Sequence, residues 1–164
     1  MNLSDWNWAP IGIAAAVAVL CALAGGLLTT IGPWYKALRK PSWQPPEWVF
    51  GPVWTTIFTL AAISGVMAWE ADPRPGPRTA LVVAYAINVV LNIAWSGLFF
   101  RMRRPDWAFV EVLVLWASVV SLIVVTASIA TVPALLLLPY LAWVSVASYL
   151  NLTIVRLNGP FGRA

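Results

Sequence analysis

Histidine is missing altogether from the 164 residues. With it go the commonest general base, the commonest metal ligand and the usual haem axial ligand. Cysteine occurs once, as Cys21, so no intrachain disulfide can form and cysteine usage does not disclose the redox compartment. Inside an apolar run that thiol reads as a small hydrophobe. Charge is scarce as well: charged residues make up 10 %, with 10 Lys and Arg against 6 Asp and Glu, for a net +4. These charges form no basic stripe, which excludes a nucleic-acid footprint and leaves anionic lipid headgroups as the better counter-charge. No residue pattern resembles a hydrolytic triad or a metal site. The N-terminus lacks the basic region and short apolar core of a cleaved signal peptide, so the first apolar run is expected to be a retained span.

What is present is apolar bulk. Hydrophobic residues make up 61 % of the chain and the mean hydropathy is +0.82. A soluble domain of this size could not bury that much apolar surface, so lipid must be the solvent for much of it. About 20 apolar residues cross a bilayer as a helix. The uncharged runs, cut at Pro and Gly, give five spans: 9–31, 49–69, 79–100, 107–130 and 134–155. Pro52 is expected in the first turn of the second span, where proline is tolerated, and Pro139 as a kink in the fifth. In the first span Ala14, Ala18, Ala22 and Gly26 recur every four residues, a stripe for close helix approach or simply an alanine-rich helix. The chain reads as one domain, 1–164, with no internal repeat. Of the ten Lys and Arg, Arg74 and Arg78 fall on the side of the N-terminus. The other eight fall on the side of the first loop, third loop and C-terminus. The positive-inside rule therefore places the first loop and C-terminus in the cytoplasm.

Between the first two spans lies the most unusual stretch, Trp34–Trp54. It holds Trp34, Trp43, Trp48 and Trp54 with Pro41, Pro45, Pro46 and Pro52, and Pro33 stands just before it. Proline fixes φ, removes a donor and restricts its predecessor, so Lys40 to Pro46 cannot be regular helix. A stiff strap carrying flat amphipathic rings suits a lid at the membrane surface over a cavity. Trp6, Trp8, Trp34 and Trp48 also fit an aromatic belt.

Polar groups within the spans are few. Asn88, Asn92 and Trp95 share one face of the third helix at i, i+4 and i+7. Amides in hydrocarbon are costly unless paired, so this face should point inward, toward a ligand or toward an interhelical hydrogen bond. Trp143, Ala147, Leu150 and Asn151 share a face of the fifth helix, where a large ring beside a small Ala forms either a slot for a flat molecule or ordinary knob packing. Glu111 lies one turn after Trp107 and is expected to snorkel or to pair with Arg101, Arg103 or Arg104 rather than to serve a proton relay.

The strap sequence WYKALRKPSWQPPEWVFGPVW resembles the signature of the TspO/MBR family: Trp34-Tyr35, Leu38, Lys40-Pro41, Trp43, Pro45-Pro46 and Trp48 to Trp54 carry it. Asn92 to Phe100, Trp107 to Val114, Pro139 to Trp143, Leu150-Asn151 and Asn158 continue the likeness in order. The resemblance implies an all-α integral membrane protein, a five-transmembrane-helix bundle whose Pro/Trp-rich first loop caps a ligand cavity, often a homodimer. It implies a receptor or carrier for protoporphyrin IX, haem, sterols or related flat apolar ligands, with no cofactor required, in a bacterial cell membrane. Carried over by position, the ligand-binding residues are Trp43, Val49, Asn92, Trp95, Trp107, Trp143, Ala147 and Leu150. In some members two pocket tryptophans support light-dependent porphyrin breakdown, and Trp54 and Trp143 are their counterparts. Leu152 and Thr153 stand where the animal sterol-recognition segment has tyrosines, and Tyr149 is followed by six residues before Arg156, so a sterol is the weaker candidate. Three readings compete: a tetrapyrrole receptor or carrier, a porphyrin-degrading photo-enzyme, and a signalling scaffold.

Overall fold

The computed structural model describes residues 8–162; Trp6 of the anticipated belt and Arg163 of the basic side lie outside them. The elements are α1 (Trp8–Leu28), α2 (Pro33–Ala37), α3 (Glu47–Ala71), α4 (Pro75–Ser96), a π-helical segment (Gly97–Arg101), α5 (Pro105–Ala127), α6 (Thr131–Leu135) and α7 (Leu138–Asn158). No strand occurs among the described residues. Five helices are long and apolar enough to cross a membrane, α4 counted with its π segment and α7 with α6. Their outer faces are apolar, with Leu27 84 % and Val90 66 % exposed. Such a surface belongs in lipid. The protein is an integral, multi-pass membrane protein.

Proline does more to open helices than to bend them. Pro33, Pro75, Pro105 and Pro139 all sit at the first or second position of a helix, where the missing N–H would be unpaired in any case. Pro139 therefore does not kink the last span as expected. The break comes earlier, at the short α6, whose Pro133 carbonyl accepts a 2.8 Å hydrogen bond from the buried Ser64 hydroxyl of α3. Pro52 departs from expectation in the other direction. Helix α3 starts at Glu47, so Pro52 lies inside it and leaves the Trp48 carbonyl without its i+4 donor. Trp48 is 74 % exposed, so that carbonyl stands where headgroups and water can reach it.

Helix α5 is the hub. It packs on α4 and α7, and its Val112, Leu115 and Val119 form a core with Ile57, Tyr140 and Val144. Helix α1 packs on α3 and α4 and buries only Cys21. Its packed side is Ala14, Ala18, Cys21 and Gly25. A row spaced by four overshoots each turn by about 40° at 3.6 residues per turn. Ala22 and Gly26 have consequently rotated out of the helix contact. On the far side of the bundle the α3–α4 turn is closed by Arg78, which donates to the Trp69 carbonyl at 3.0 and 3.2 Å and stacks 4.3 Å over its ring. Arg74 grips Asp72 in the same turn and holds that carboxyl down at about 2.

The strap is non-helical from Leu38 to Pro46, as its prolines require. It is fastened to the end of α7. Asn158 Oδ1 accepts from the Arg39 N–H at 2.7 Å, and Asn158 Nδ2 donates to the Arg39 carbonyl at 2.8 Å. Trp43 stacks on Tyr149 with ring centroids 5.1 Å apart.

Candidate ligand-binding site

A cavity of about 360 Å³ occupies the strap end of the bundle. Its walls are aromatic: Phe50, Trp54 and Phe58 from α3, Trp95 from α4, Phe99 and Phe100 from the π segment. A π turn carries one residue more than an α turn, and here both neighbouring phenylalanines line the cavity, their rings 4.8 Å apart. Val144, Ala147, Leu150, Asn151 and Ile154 of α7 face them. Ala22 and Gly26 of α1 and Gly51 and Thr55 of α3 line the cavity too, yet all four are exposed. A Cβ added at Gly26 or Gly51 would meet nothing within 4 Å. The cavity thus opens sideways into the membrane between α1 and α3.

Its floor is a polar spine that crosses the bundle. Asn92 Nδ2 donates to Tyr140 Oη at 3.0 Å, and Tyr140 Oη donates to Asn88 Oδ1 at 3.0 Å. Asn88 Nδ2 donates to Ser118 Oγ at 2.9 Å, and the Cys21 thiol reaches Asn92 Oδ1 at 3.6 Å. Trp95 Nε1 donates to Asn151 Oδ1 at 3.0 Å, and Asn151 Nδ2 to the Pro105 carbonyl at 2.8 Å. The Asn88–Asn92–Trp95 face therefore does point inward and makes interhelical hydrogen bonds, while Asn92 and Trp95 also border the cavity.

At the mouth stand Tyr35 and Glu47, the residues on either side of the strap; residues 38–46 themselves do not line the cavity. Tyr35 is buried among Phe99 and Phe100 and accepts a long 3.4 Å hydrogen bond from Gln44 Nε2. Burial pushes its phenol above the ordinary value, with the Gln44 bond opposing and Glu47 adding.

Of the residues singled out from sequence, Trp54, Asn92, Trp95, Ala147 and Leu150 line this cavity. Trp43 lies on the strap against Tyr149, Val49 is half-buried, and Trp107 is 50 % exposed beneath the Arg104 guanidinium. Trp143 lines a separate groove between α3 and α7; it packs against the core that backs the cavity and meets Phe50 edge-on at 5.5 Å. Val144, the next residue along, lines the cavity with Ala147 and Asn151 instead. Glu111 pairs with none of the three arginines named for it. Arg104 is engaged by Asp106, and both Glu111 oxygens are buried without a hydrogen-bond partner. No group of His, Cys, Asp and Glu among the described residues could hold a metal ion. Sequence reasoning did not single out Tyr140, Phe50, Phe99 or Ser118 for the site; the π turn that aims Phe99 has no sequence signature.

The TspO/MBR family profile matches residues 13–157. The chain belongs to the TspO/MBR family. A tryptophan-rich protein TspO of Chlorobaculum tepidum is 38 % identical over 144 residues, covering 85 % of this chain and 91 % of that protein. A translocator protein of Homo sapiens is 32 % identical over 154 residues, covering 92 % and 91 %. A tryptophan-rich sensory protein of Cereibacter sphaeroides is 34 % identical over 158 residues, covering 96 % and 95 %. The TspO/MBR match thus takes in the strap, the cavity walls and the polar spine together.

Proposed function

We propose that this TspO/MBR protein is a membrane receptor or carrier for a flat, apolar tetrapyrrole, protoporphyrin IX or haem. The observation that carries the reading is the aromatic cavity itself. Six indole and phenyl rings surround a space of about 360 Å³, inside the range of ~300–1,000 Å³ usual for small-molecule sites. Aromatic faces stack on planar π systems, and the opening between α1 and α3 admits a molecule dissolved in lipid. The lining holds no His, Cys or Met, so iron would find no imidazole or sulfur ligand, and a metal-free porphyrin suits the walls at least as well. Relatives named translocator protein and tryptophan-rich sensory protein favour transport or sensing over catalysis. The protein works as a homodimer in a bacterial cell membrane, with the strap and C-terminus in the cytoplasm, where seven of the nine Lys and Arg among residues 8–162 cluster.

The test is quenching of tryptophan fluorescence by protoporphyrin IX. Ala147→Phe places a ring inside the cavity and should abolish saturable quenching, while helical content and thermal stability hold. Full-affinity quenching by a folded Ala147→Phe protein would show that the ligand lies elsewhere.

A further inference from the structure

Among the cations at the strap end, Lys36, Arg39 and Arg101 are exposed, and Arg103 is exposed with its guanidinium 6.0 Å from the centroid of the Trp34 ring. Lys40 differs. Its side chain is only 20 % exposed, and its ammonium lies 3.7 Å above the centroid of the Tyr35 ring. Its nearest acidic partner is Glu47 Oε1, also at 3.7 Å, beyond hydrogen-bond length. An ammonium carries three donors. Among the described residues none of the three meets an acceptor within hydrogen-bond distance. The two groups that hold Lys40, Tyr35 and Glu47, are those that frame the cavity mouth. Beside them Gln44 Oε1 is buried without a partner, so the polar atoms of the mouth are under-satisfied on both the donor and the acceptor side.

A partly desolvated cation with unused donors beside an aromatic cavity is a donor site for an oxyanion. We propose that Lys40 binds the acidic substituent of the cavity's ligand, and that Glu47 competes for the same ammonium. This rests on the tetrapyrrole reading and adds what that reading lacks, a group that recognises the carboxylates. The apolar macrocycle then lies between the aromatic walls with its acidic edge toward the strap. Glu47, which is 45 % exposed, swings outward as the ligand carboxylate takes its place. The strap thereby becomes a charge filter: neutral flat molecules lose nothing by its chemistry, and acidic ones gain a contact.

The experiment compares protoporphyrin IX with its dimethyl ester by fluorescence quenching, in nanodiscs of zwitterionic lipid that supply no anionic headgroup. Wild type should bind the diacid more tightly, and added salt should erode that preference. Lys40→Met should weaken the diacid about tenfold, the scale of one charge-assisted hydrogen bond, and leave the ester within about twofold. Glu47→Gln should tighten the diacid about threefold, Lys40→Arg should retain the diacid preference, and Lys36→Met should change neither ligand. Equal loss of both ligands in Lys40→Met, or no loss of the diacid, overturns the assignment of Lys40. A wild type that binds the ester as tightly as the diacid overturns it too, while leaving the cavity reading intact. A wild type that binds neither compound overturns the cavity reading, and Lys40 with it.

Discussion

Replacing Tyr140 by Phe removes one oxygen from the centre of the bundle and nothing else. Two hydrogen bonds of 3.0 Å go with it, leaving the Asn92 amide without its acceptor and the Asn88 carbonyl without its donor. Two orphaned groups at about 1–3 kcal/mol each would cost ~2–6 kcal/mol on the scale of soluble cores. Interhelical hydrogen bonds within bilayers average about 0.6 kcal/mol and reach ~1.7, which gives ~1–3 for the pair. The surroundings favour the lower scale. Asn88 keeps its bond to Ser118, and Asn92 borders the cavity, where its freed N–H can be solvated. The benzene ring still fills its place, so no void adds to the loss. The expected destabilisation is therefore about 1–2 kcal/mol, measured by reversible unfolding in mixed detergent micelles. A cycle with Asn92→Ala should return a coupling of roughly 0.5–1 kcal/mol. A Tyr140→Phe protein within about 0.3 kcal/mol of wild type would mean that the spine does not hold α4 to α7. A loss above ~4 kcal/mol would mean a network far more cooperative than pairwise bonds allow.

Two further substitutions separate the strap from the side opening. Asn158→Ala removes both hydrogen bonds to Arg39. Amide exchange in residues 38–46 should then accelerate and bound porphyrin should dissociate roughly tenfold faster; an unchanged release rate would show that the strap does not retain the ligand. Gly26→Leu meets no atom within 4 Å at its Cβ and replaces a helix-interior glycine, so stability should rise by about 0.5–1 kcal/mol while porphyrin association slows severalfold. Unchanged association kinetics in Gly26→Leu would place the route of access elsewhere.

The five spans were legible because charge is so scarce that every long uncharged run must be one. Their starts were read too late wherever charge was taken as the boundary. The third span was expected from Thr79, yet α4 begins at Pro75 and carries Arg78 in its first turn, because that side chain can cap the end of α3. The asparagines could be assigned to an inward face by spacing alone. Their partners could not, since Tyr140 and Ser118 are ordinary residues until tertiary packing sets them opposite an amide. The π segment at Gly97–Arg101 is the clearest case of structure invisible in sequence: nothing in GLFFR distinguishes a π turn from an α turn. Glu111 failed for a related reason. Its nearest arginines in sequence are committed to Asp106, to the Trp34 ring or to solvent, and a helix repeat fixes a direction but not a partner.

The spine also decides what the cavity can recognise. Its polar atoms are mostly engaged in holding helices together. The Trp95 N–H is occupied by Asn151, both polar atoms of Asn151 are occupied, and the Asn92 carbonyl oxygen holds the Cys21 thiol. What remains for a ligand inside is one N–H of Asn92, the Ser96 hydroxyl and the lone pairs of the Thr29 and Thr55 hydroxyls, which donate to the Gly25 and Gly51 carbonyls, along a wall of rings. Such a surface discriminates by shape and stacking, and it cannot reward a charged group, whose desolvation would exceed the gain from one or two neutral donors. Recognition of charge must then fall to the mouth, where lipid headgroups and water begin. There the strap has brought a lysine, a glutamate and a glutamine to the rim of an otherwise uncharged chamber. The proline stiffness of the strap is what keeps that rim in register, because a flexible loop would let Lys40 turn to solvent as Lys36 and Arg39 beside it do.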